Sequence, residues 1–157
     1  MKLIKEITFA LALTAGSIFG VANAQSHEIK FGELVIGHPW ARTSPTGTGV
    51  VAGFMTITNN GKQDDRLIKV TAEISPTTQI HEMKMVGDVM KMAELPGGIL
   101  IPAGKTVALK PKSLHVMFIG VSEKLEEGEE FSGTLTFERA GTVEVDFEVA
   151  APDAHTN

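Results

Sequence analysis

Histidine and methionine side chains cluster in two short segments of this chain. The first segment, residues 81–92, reads HEMKMVGDVMKM, and the second, residues 115–117, reads HVM. Five of the six methionines after the first residue lie in these segments, and the chain has no cysteine. Thioether sulfur is a soft, neutral ligand and imidazole is a borderline one, so together they suit Cu(I) better than Zn(II) or hard cations. The residue types therefore predict a Cu(I) site. Its leading candidate ligands are His81, Met92, His115 and Met117.

Two strands joined by a tight turn are predicted for the first segment. Alternate residues of a strand point to the same face, and a turn at Gly87-Asp88 would join the two strands as a hairpin. Diagonal neighbours in such a hairpin are about 7 to 8 Å apart, a distance that long side chains can close. The expected face has Met83 opposite Met92, Met85 opposite Met90, and His81 diagonal to Met92.

A third strand is predicted around the second segment. His115 and Met117 share one face of it, while Leu114, Val116 and Phe118 point to the other. A hydrophobic core needs the three apolar side chains, which leaves the histidine and the methionine free to meet the hairpin. Two ligands from the hairpin and two from this strand would make a four-coordinate site.

A structural explanation exists for each of these residues taken singly. Methionine is a common core filler, and a lone histidine is more often hydrogen-bonded at the surface than bound to a metal. The conjunction favours a metal site, because two His-x-Met patterns and a Met-x-Met between them fall on consistent strand faces. Core packing does not call for histidine beside methionine twice.

Period-two alternation continues through most of the remaining chain, with turn residues at short intervals. This pattern predicts an all-β fold, an antiparallel Greek-key β-sandwich or barrel of about eight strands. Three alternating apolar sets are expected to face the core. They are Val143, Val145, Phe147 and Val149; Ile68, Val70, Ala72 and Ile74; and Phe131, Leu135 and Phe137.

The first 24 residues are predicted to be a cleaved signal peptide. Two lysines precede an apolar stretch that ends in Ala22-Asn23-Ala24, a typical cleavage site, and the stretch is short for a membrane anchor. We expect a β domain at 25–149, a disordered tail at 150–157, and a periplasmic monomer without a membrane span. Because no cysteine follows the cleavage site, lipid attachment there is excluded.

The predicted mature chain carries 12 basic and 18 acidic residues, a net charge of −6. Binding to nucleic acid phosphates needs a basic surface, so nucleic acid is not an expected partner.

The spacing of the candidate ligands resembles that of the periplasmic copper chaperones called PCuAC. Ten residues separate His81 from Met92, twenty-two separate Met92 from His115, and one separates His115 from Met117. Further likeness lies in Trp40-Ala41-Arg42, Ile101-Pro102-Ala103-Gly104 and Leu109-Lys110-Pro111.

The resemblance implies a cupredoxin-like fold and one Cu(I) bound by the residues that match the family's four ligands. It also implies delivery of copper toward the CuA centre of cytochrome c oxidase, in some members alongside thioredoxin-like copper proteins. Met83, Met85 and Met90 are not among the four ligands. Met83 and Met85 are interpreted as a loading or exchange surface, or alternatively as hydrophobic lining of the site.

A second site, selective for Cu(II), is hypothesised at the mature N-terminus. Gln25-Ser26-His27 would supply an amine, two backbone amides and an imidazole in the square-planar arrangement that Cu(II) favours. His155 in the tail could assist it. The alternative is that both histidines have no metal-binding role. Trp40 is interpreted as a buried residue of the sandwich.

Four other functions are weighed against a copper chaperone. A blue-copper electron carrier needs a cysteine thiolate, which this chain lacks. An enzyme is not expected, because no nucleophile or acid–base pair lies in a recognisable motif. Copper storage or resistance would use the same site, and a metal-independent, immunoglobulin-like interaction module would use the methionine face as a sticky patch. These last two alternatives stay open.

Overall fold

The computed structural model describes residues 28–44, 49–151 and 153. Within these residues the secondary structure consists of eleven strands, and the described part of the chain has no helix that could cross a membrane. The strands are β1 (Glu28–Phe31), β2 (Leu34–Thr43), β3 (Val50–Asn59), β4 (Asp65–Ala72), β5 (Thr77–Val86), β6 (Val89–Glu94), β7 (Ile99–Ile101), β8 (Thr106–Leu109), β9 (His115–Ile119), β10 (Glu130–Phe137) and β11 (Gly141–Ala150).

The predicted all-β class is confirmed, but the expected number of strands is too low. Strands β1, β7 and β8 have only three or four residues each, and sequence alternation over so short a run is a weak signal. Strand β11 ends at Ala150, one residue beyond the predicted domain boundary. The end of the predicted tail lies outside the described residues.

The strands form one continuous sheet that folds over a shared core. Its main order is β6-β5-β9-β3-β2-β11-β10-β4-β7, with β1 paired to β2 and β8 paired to β3. The expectation of a purely antiparallel sheet is wrong for one pair, because β11 runs parallel to β2, with Glu148 opposite Trp40. These strands are far apart in the sequence, so no turn between them dictates their direction. The other strand pairs among the described residues are antiparallel.

Aromatic contacts across the core show how the sheet closes. Phe118 of β9 meets Phe131 of β10 at 5.2 Å and Phe147 of β11 at 5.4 Å between ring centroids, both edge to face. Phe131 and Phe147 are stacked at 5.3 Å. Since β9 is not a sheet neighbour of β10 or β11, the two halves of the sheet must pack face to face.

Two of the three alternating apolar sets face the core as predicted, and the set on β4 is wrong at one position. Leu67 and Val70 are buried, whereas Ile68 is 43% exposed. The pairing of β4 with β10 explains the difference. Thr136 lies opposite Lys69 and Phe137 lies opposite Leu67, so Ile68 is an extra residue in a β-bulge. The bulge turns it out of the alternation.

Three neighbouring strands contribute to the core with one face and to a second, outer cluster with the other. Ile80 of β5, Val116 of β9 and Val51 of β3 belong to the core. Their chain neighbours on the opposite face, among them His81 and His115, are directed to the outer side of the sheet. The same alternation that builds the core thus presents the candidate ligands away from it.

Candidate metal centre

The hairpin formed by β5 and β6 has the register that the sequence predicted. Met83 lies opposite Met92, and Met85 lies opposite Met90. His81 lies opposite Glu94, which leaves it diagonal to Met92. The turn residue Gly87 has a φ of 63°, a backbone conformation that glycine adopts without steric cost.

Strand β9 brings the second pair of candidates against the first. His115 lies directly opposite His81, and their ring centroids are 5.7 Å apart with an interplanar angle of 65°. Met117 shares the face of His115, while Val116 and Phe118 are fully buried on the other side. The predicted faces of β9 are therefore confirmed, and both histidines meet on one surface of the sheet.

His115 is held in one orientation by a carbonyl and an aromatic ring. Its Nδ1 donates to the carbonyl oxygen of Ser113 at 2.9 Å, so Nε2 carries the lone pair of the neutral ring. The ring of Phe54 lies 6.4 Å from it, and Trp40 covers Phe54 at 4.4 Å. Only 4% of the surface of His115 is exposed, so little water reaches its ring. The bond to Ser113 fixes the tautomer in which Nε2 is free to bind a metal.

The Ser113 carbonyl also connects this strand to the hairpin. It accepts a hydrogen bond from the backbone N–H of Met83 at 3.1 Å, in addition to that from His115. A turn over residues 110–113, with the Ser113 N–H bonded to the Lys110 carbonyl, sets its position. One backbone oxygen thus accepts hydrogen bonds from both the methionine hairpin and the buried imidazole, and holds them side by side.

His81 presents a nitrogen without a protein partner. Its Nε2 donates to the side-chain oxygen of Gln79 at 2.9 Å, which leaves Nδ1 as the unprotonated nitrogen of a neutral ring. Nδ1 is buried, and within the described residues it has no hydrogen-bond partner. A buried nitrogen without a partner costs free energy, so a soft cation at this nitrogen would remove a penalty.

An open cavity of about 220 Å³ lies beside the paired histidines. Its lining has no carboxylate, so a hard cation would find few oxygen ligands there. The described residues also hold no group of three or more histidine and acidic side chains able to bind a metal. Thioether sulfur, with one imidazole beside it, is therefore the main soft donor that the lining offers to a metal. The sulfur and imidazole side chains in the lining are Met83, Met92, His115 and Met117.

The four candidate ligands thus lie around one place in the fold, although His81 reaches it beside His115 and is not part of the cavity wall. Met83, which is outside the four, lines the cavity as well. Met92 is 48% exposed, whereas His115 is buried. The candidate site is therefore shielded from solvent at His115 of β9 and exposed to solvent at Met92 of the hairpin.

Several supporting residues escaped the sequence analysis. Gln79 and Ser113 orient the two histidines, and Phe54 covers one of them. Gln79 could have been found, because it lies two residues before His81 on the same strand face. Trp40 is buried as expected, but it packs on Phe54 beside the site and not in the main core cluster.

The hypothesised second site has no structural description. Both of its histidines, His27 and His155, lie outside the described residues.

The environment of His115 predicts a pH-dependent stability. Burial lowers the pKa of His115 below its ordinary value of 6.5, the bond to Ser113 opposes this shift, and the proximity of His81 adds to it. Below about pH 6.5 His115 is protonated in the unfolded chain but stays neutral in the folded chain. Because the unfolded state binds more protons, the free energy of unfolding should fall as the pH falls.

Urea unfolding of metal-free protein between pH 7.5 and 5.5 measures this loss. In His115→Asn, whose amide can still donate to the Ser113 carbonyl but does not titrate, the pH dependence should be shallower. Equal slopes for the two proteins would show that His115 does not contribute.

Comparisons with known proteins identify relatives of this chain. A family model described as "Putative lipoprotein LpqE-like" matches residues 34–149, which include all four candidate ligands. A relative from Leifsonia xyli subsp. xyli, named "Putative lipoprotein Lxx21020", is 29% identical over 144 residues, or 90% of this chain and 86% of the relative.

Solved structures are similar as well. The copper-bound PCuAC domain from PmoF2 is 29% identical, with a TM-score of 0.68 over 80% of this chain and 99% of that domain. CuI-DR1885 from Deinococcus radiodurans is 25% identical, with a TM-score of 0.60 over 85% of each chain. These matches confirm the resemblance to PCuAC domains and the cupredoxin-like fold that it implied. The chain belongs to the LpqE-like family and has the fold of the PCuAC domains.

Proposed function

We propose that this protein is a copper chaperone that binds one Cu(I) through His81, Met92, His115 and Met117 and passes it to an acceptor protein. The observation that carries the proposal is the pairing of β5 with β6 and β9, which brings Met92, His115 and Met117 to one cavity and sets His81 beside His115. The relatives support it, since one similar PCuAC domain is copper-bound and DR1885 was solved in a Cu(I) form.

The donor set suits Cu(I) for chemical reasons. Two thioethers and two neutral imidazoles carry no charge, and soft sulfur favours Cu(I) over Cu(II), which prefers nitrogen and oxygen in a tetragonal arrangement. The set includes no thiolate, so it is not exposed to the oxidation that disables cysteine ligands outside the cytoplasm. The buried nitrogen of His81 that has no protein partner fits a ligand role.

Transfer is favoured over storage by the uneven burial of the site. Met92 is 48% exposed on an edge strand, whereas His115 is buried. An acceptor can therefore reach one thioether ligand first and replace the ligands one at a time. A storage protein is expected to enclose its metal on all sides.

The acceptor we infer is the subunit of cytochrome c oxidase that carries CuA, or a thioredoxin-like copper chaperone. The place of transfer is the periplasm. The apolar N-terminal stretch before Ala22-Asn23-Ala24 supports export, and the name lipoprotein given to the relative agrees with it. The protein acts by binding and transfer without catalytic turnover.

Transfer to an apo-acceptor tests the function. The protein starting at Gln25 is loaded with one equivalent of Cu(I) without oxygen, mixed with an apo CuA domain, and separated for copper analysis. A chaperone hands the copper over. Copper retained by the protein would indicate storage, and no copper bound at the start would leave a metal-independent interaction module.

Matched variants make this test specific to the site. Met92→Leu with Met117→Leu removes two candidate ligands, and the pair is expected to abolish tight binding of Cu(I) at this site and the transfer that depends on it. Met55→Leu removes a thioether from the core, where Met55 is 2% exposed, and should load and transfer as the parent protein does.

The Cu(II) site at Gln25-Ser26-His27 is a separate proposal. It predicts one equivalent of Cu(II) with a visible d–d absorption band, which His27→Ala removes while His155→Ala weakens it. An unchanged band and stoichiometry in His27→Ala would contradict the site.

A further inference from the structure

The part of the β5–β6 hairpin beyond His81 is a two-stranded arm, residues 82–93. Strand β9 pairs with β5 only as far as His81, and among the described strands β6 has no partner except β5. A backbone hydrogen bond from the Met83 N–H to the Ser113 carbonyl holds the arm where it leaves the sheet. Beyond this bond the arm extends past strand β9 towards its turn at Gly87.

One face of the arm is a ladder of thioethers. Its inner rung is Met83 opposite Met92, and its outer rung is Met85 opposite Met90. Directly opposite residues have Cβ atoms about 4.5 to 5.5 Å apart, so the sulfur atoms of one rung can reach a common ion. The other face is different in chemistry, since it pairs Lys84 with Lys91 and Val86 with Val89.

Core packing does not account for the outer rung. Met85 is 56% exposed and Met90 is 41% exposed, so neither methionine fills a gap in a core. Of the large apolar side chains that are exposed among the described residues, most lie on this arm. They are Met85, Val86, Val89, Met90 and Met92, against Ile68 and Leu100 elsewhere.

The inner rung connects the outer rung to the candidate metal centre. Met83 and Met92 both line the cavity that also contains His115 and Met117. Along the same strand face, Met85 is two residues beyond Met83, and Met90 is two residues before Met92. A row of thioether side chains therefore continues from the outer part of the arm to the cavity that contains the buried imidazole of His115.

We propose that Met85 and Met90, with Met83 as a third ligand, form a second and weaker Cu(I) site that captures the ion and passes it to the inner site. Two or three thioethers without imidazole select Cu(I) over Cu(II) and Zn(II). Transfer replaces the thioethers of the outer rung one at a time, through Met83 and Met92, by the ligands of the inner site. The copper stays Cu(I), and no proton moves, because thioethers are neutral and both imidazoles of the inner site offer an unprotonated ring nitrogen. The capture site stands by itself, whereas its delivery step rests on the proposed chaperone function.

Methyl NMR separates the two sites. The protein starting at Gln25 is labelled at the methionine methyl groups and titrated with Cu(I) under argon. The first equivalent should shift the methyl signals of Met92 and Met117, and the second should shift those of Met85 and Met90. Met55, buried in the core, is the internal control and should stay in place.

The double variant Met85→Leu with Met90→Leu supplies the decisive comparison. Both side chains are exposed, so the fold should survive, as a circular dichroism spectrum would verify. The second equivalent should be lost while the affinity for the first is unchanged. Loading of the inner site from a Cu(I)–acetonitrile complex should slow on the order of tenfold, because capture beside the site raises the effective copper concentration.

The outcomes distinguish this inference from the proposed function. Retention of the second equivalent in the double variant, or unmoved Met85 and Met90 signals in the parent protein, would overturn the capture site. Shifts at Met85 and Met90 without shifts at Met92 and Met117 would support the capture site and contradict the proposed inner site. An unchanged loading rate with a lost second equivalent would refute the delivery step.

Discussion

Replacing His115 by asparagine is expected to lower the affinity for Cu(I) by at least about 100-fold, because loss of a partner that merely orients a metal ligand already costs about 10- to 100-fold. His115 is the most buried of the four candidates and is aligned by the Ser113 carbonyl. Asparagine keeps a donor near the position of Nδ1 but has no nitrogen lone pair for a metal.

Competition with a Cu(I) chelator of known affinity measures this loss. Met55→Leu is the control for a change that leaves the site intact, since Met55 lies in the core. Gln79→Ala should have a smaller effect than His115→Asn, because Gln79 only orients His81. If His115→Asn bound Cu(I) as tightly as the parent protein, His115 would not be a ligand and the family's ligand set would not apply to this chain.

Replacing Phe118 by alanine is expected to reduce the free energy of unfolding by about 4 kcal/mol, the range found for buried phenylalanines. Phe118 is fully buried and makes edge-to-face contacts with both Phe131 and Phe147. Gly53 leaves the space for its ring, since a Cβ added there would lie 2.7 Å from Phe118 Cε2. Removal of the ring leaves a cavity where the two halves of the sheet meet.

Urea unfolding of the metal-free protein measures the effect. Val86→Ala is a matched control, because Val86 is 48% exposed on the arm and should change the free energy of unfolding by no more than about 0.5 kcal/mol. Equal losses in the two variants would mean that the aromatic contacts do not hold the sheet halves together.

The register of the hairpin could be predicted because the information is local. Strand alternation and the two-residue turn at Gly87-Asp88 are enough to place Met83 opposite Met92. The outward face of β9 followed from the same logic, since Val116 and Phe118 had to be buried. In both cases the signal lies within a dozen residues.

The surroundings of the site could not be predicted because they depend on pairings between distant strands. Phe54 reaches His115 through the alignment of β3 with β9, and Trp40 reaches Phe54 through that of β2 with β3. The parallel contact of β11 with β2 and the bulge at Ile68 have the same origin. The Ser113 carbonyl is a backbone group, so its orientation towards His115 cannot be predicted from the sequence of side chains.

Strand β9, which has only five residues from His115 to Ile119, contributes to both the core and the candidate metal centre. Val116 and Phe118 complete the core, and His115 and Met117 stand between them on the opposite face. A slip of the strand by one residue would expose Phe118 and bury Met117, so the core and the arrangement of the candidate ligands would be lost together. A chain that has buried Phe118 correctly has therefore already placed His115 opposite His81 and Met117 opposite Gln79. The stability of the core and the assembly of the candidate metal centre thus depend on the same strand register, so a variant that shifts this register should lose both together.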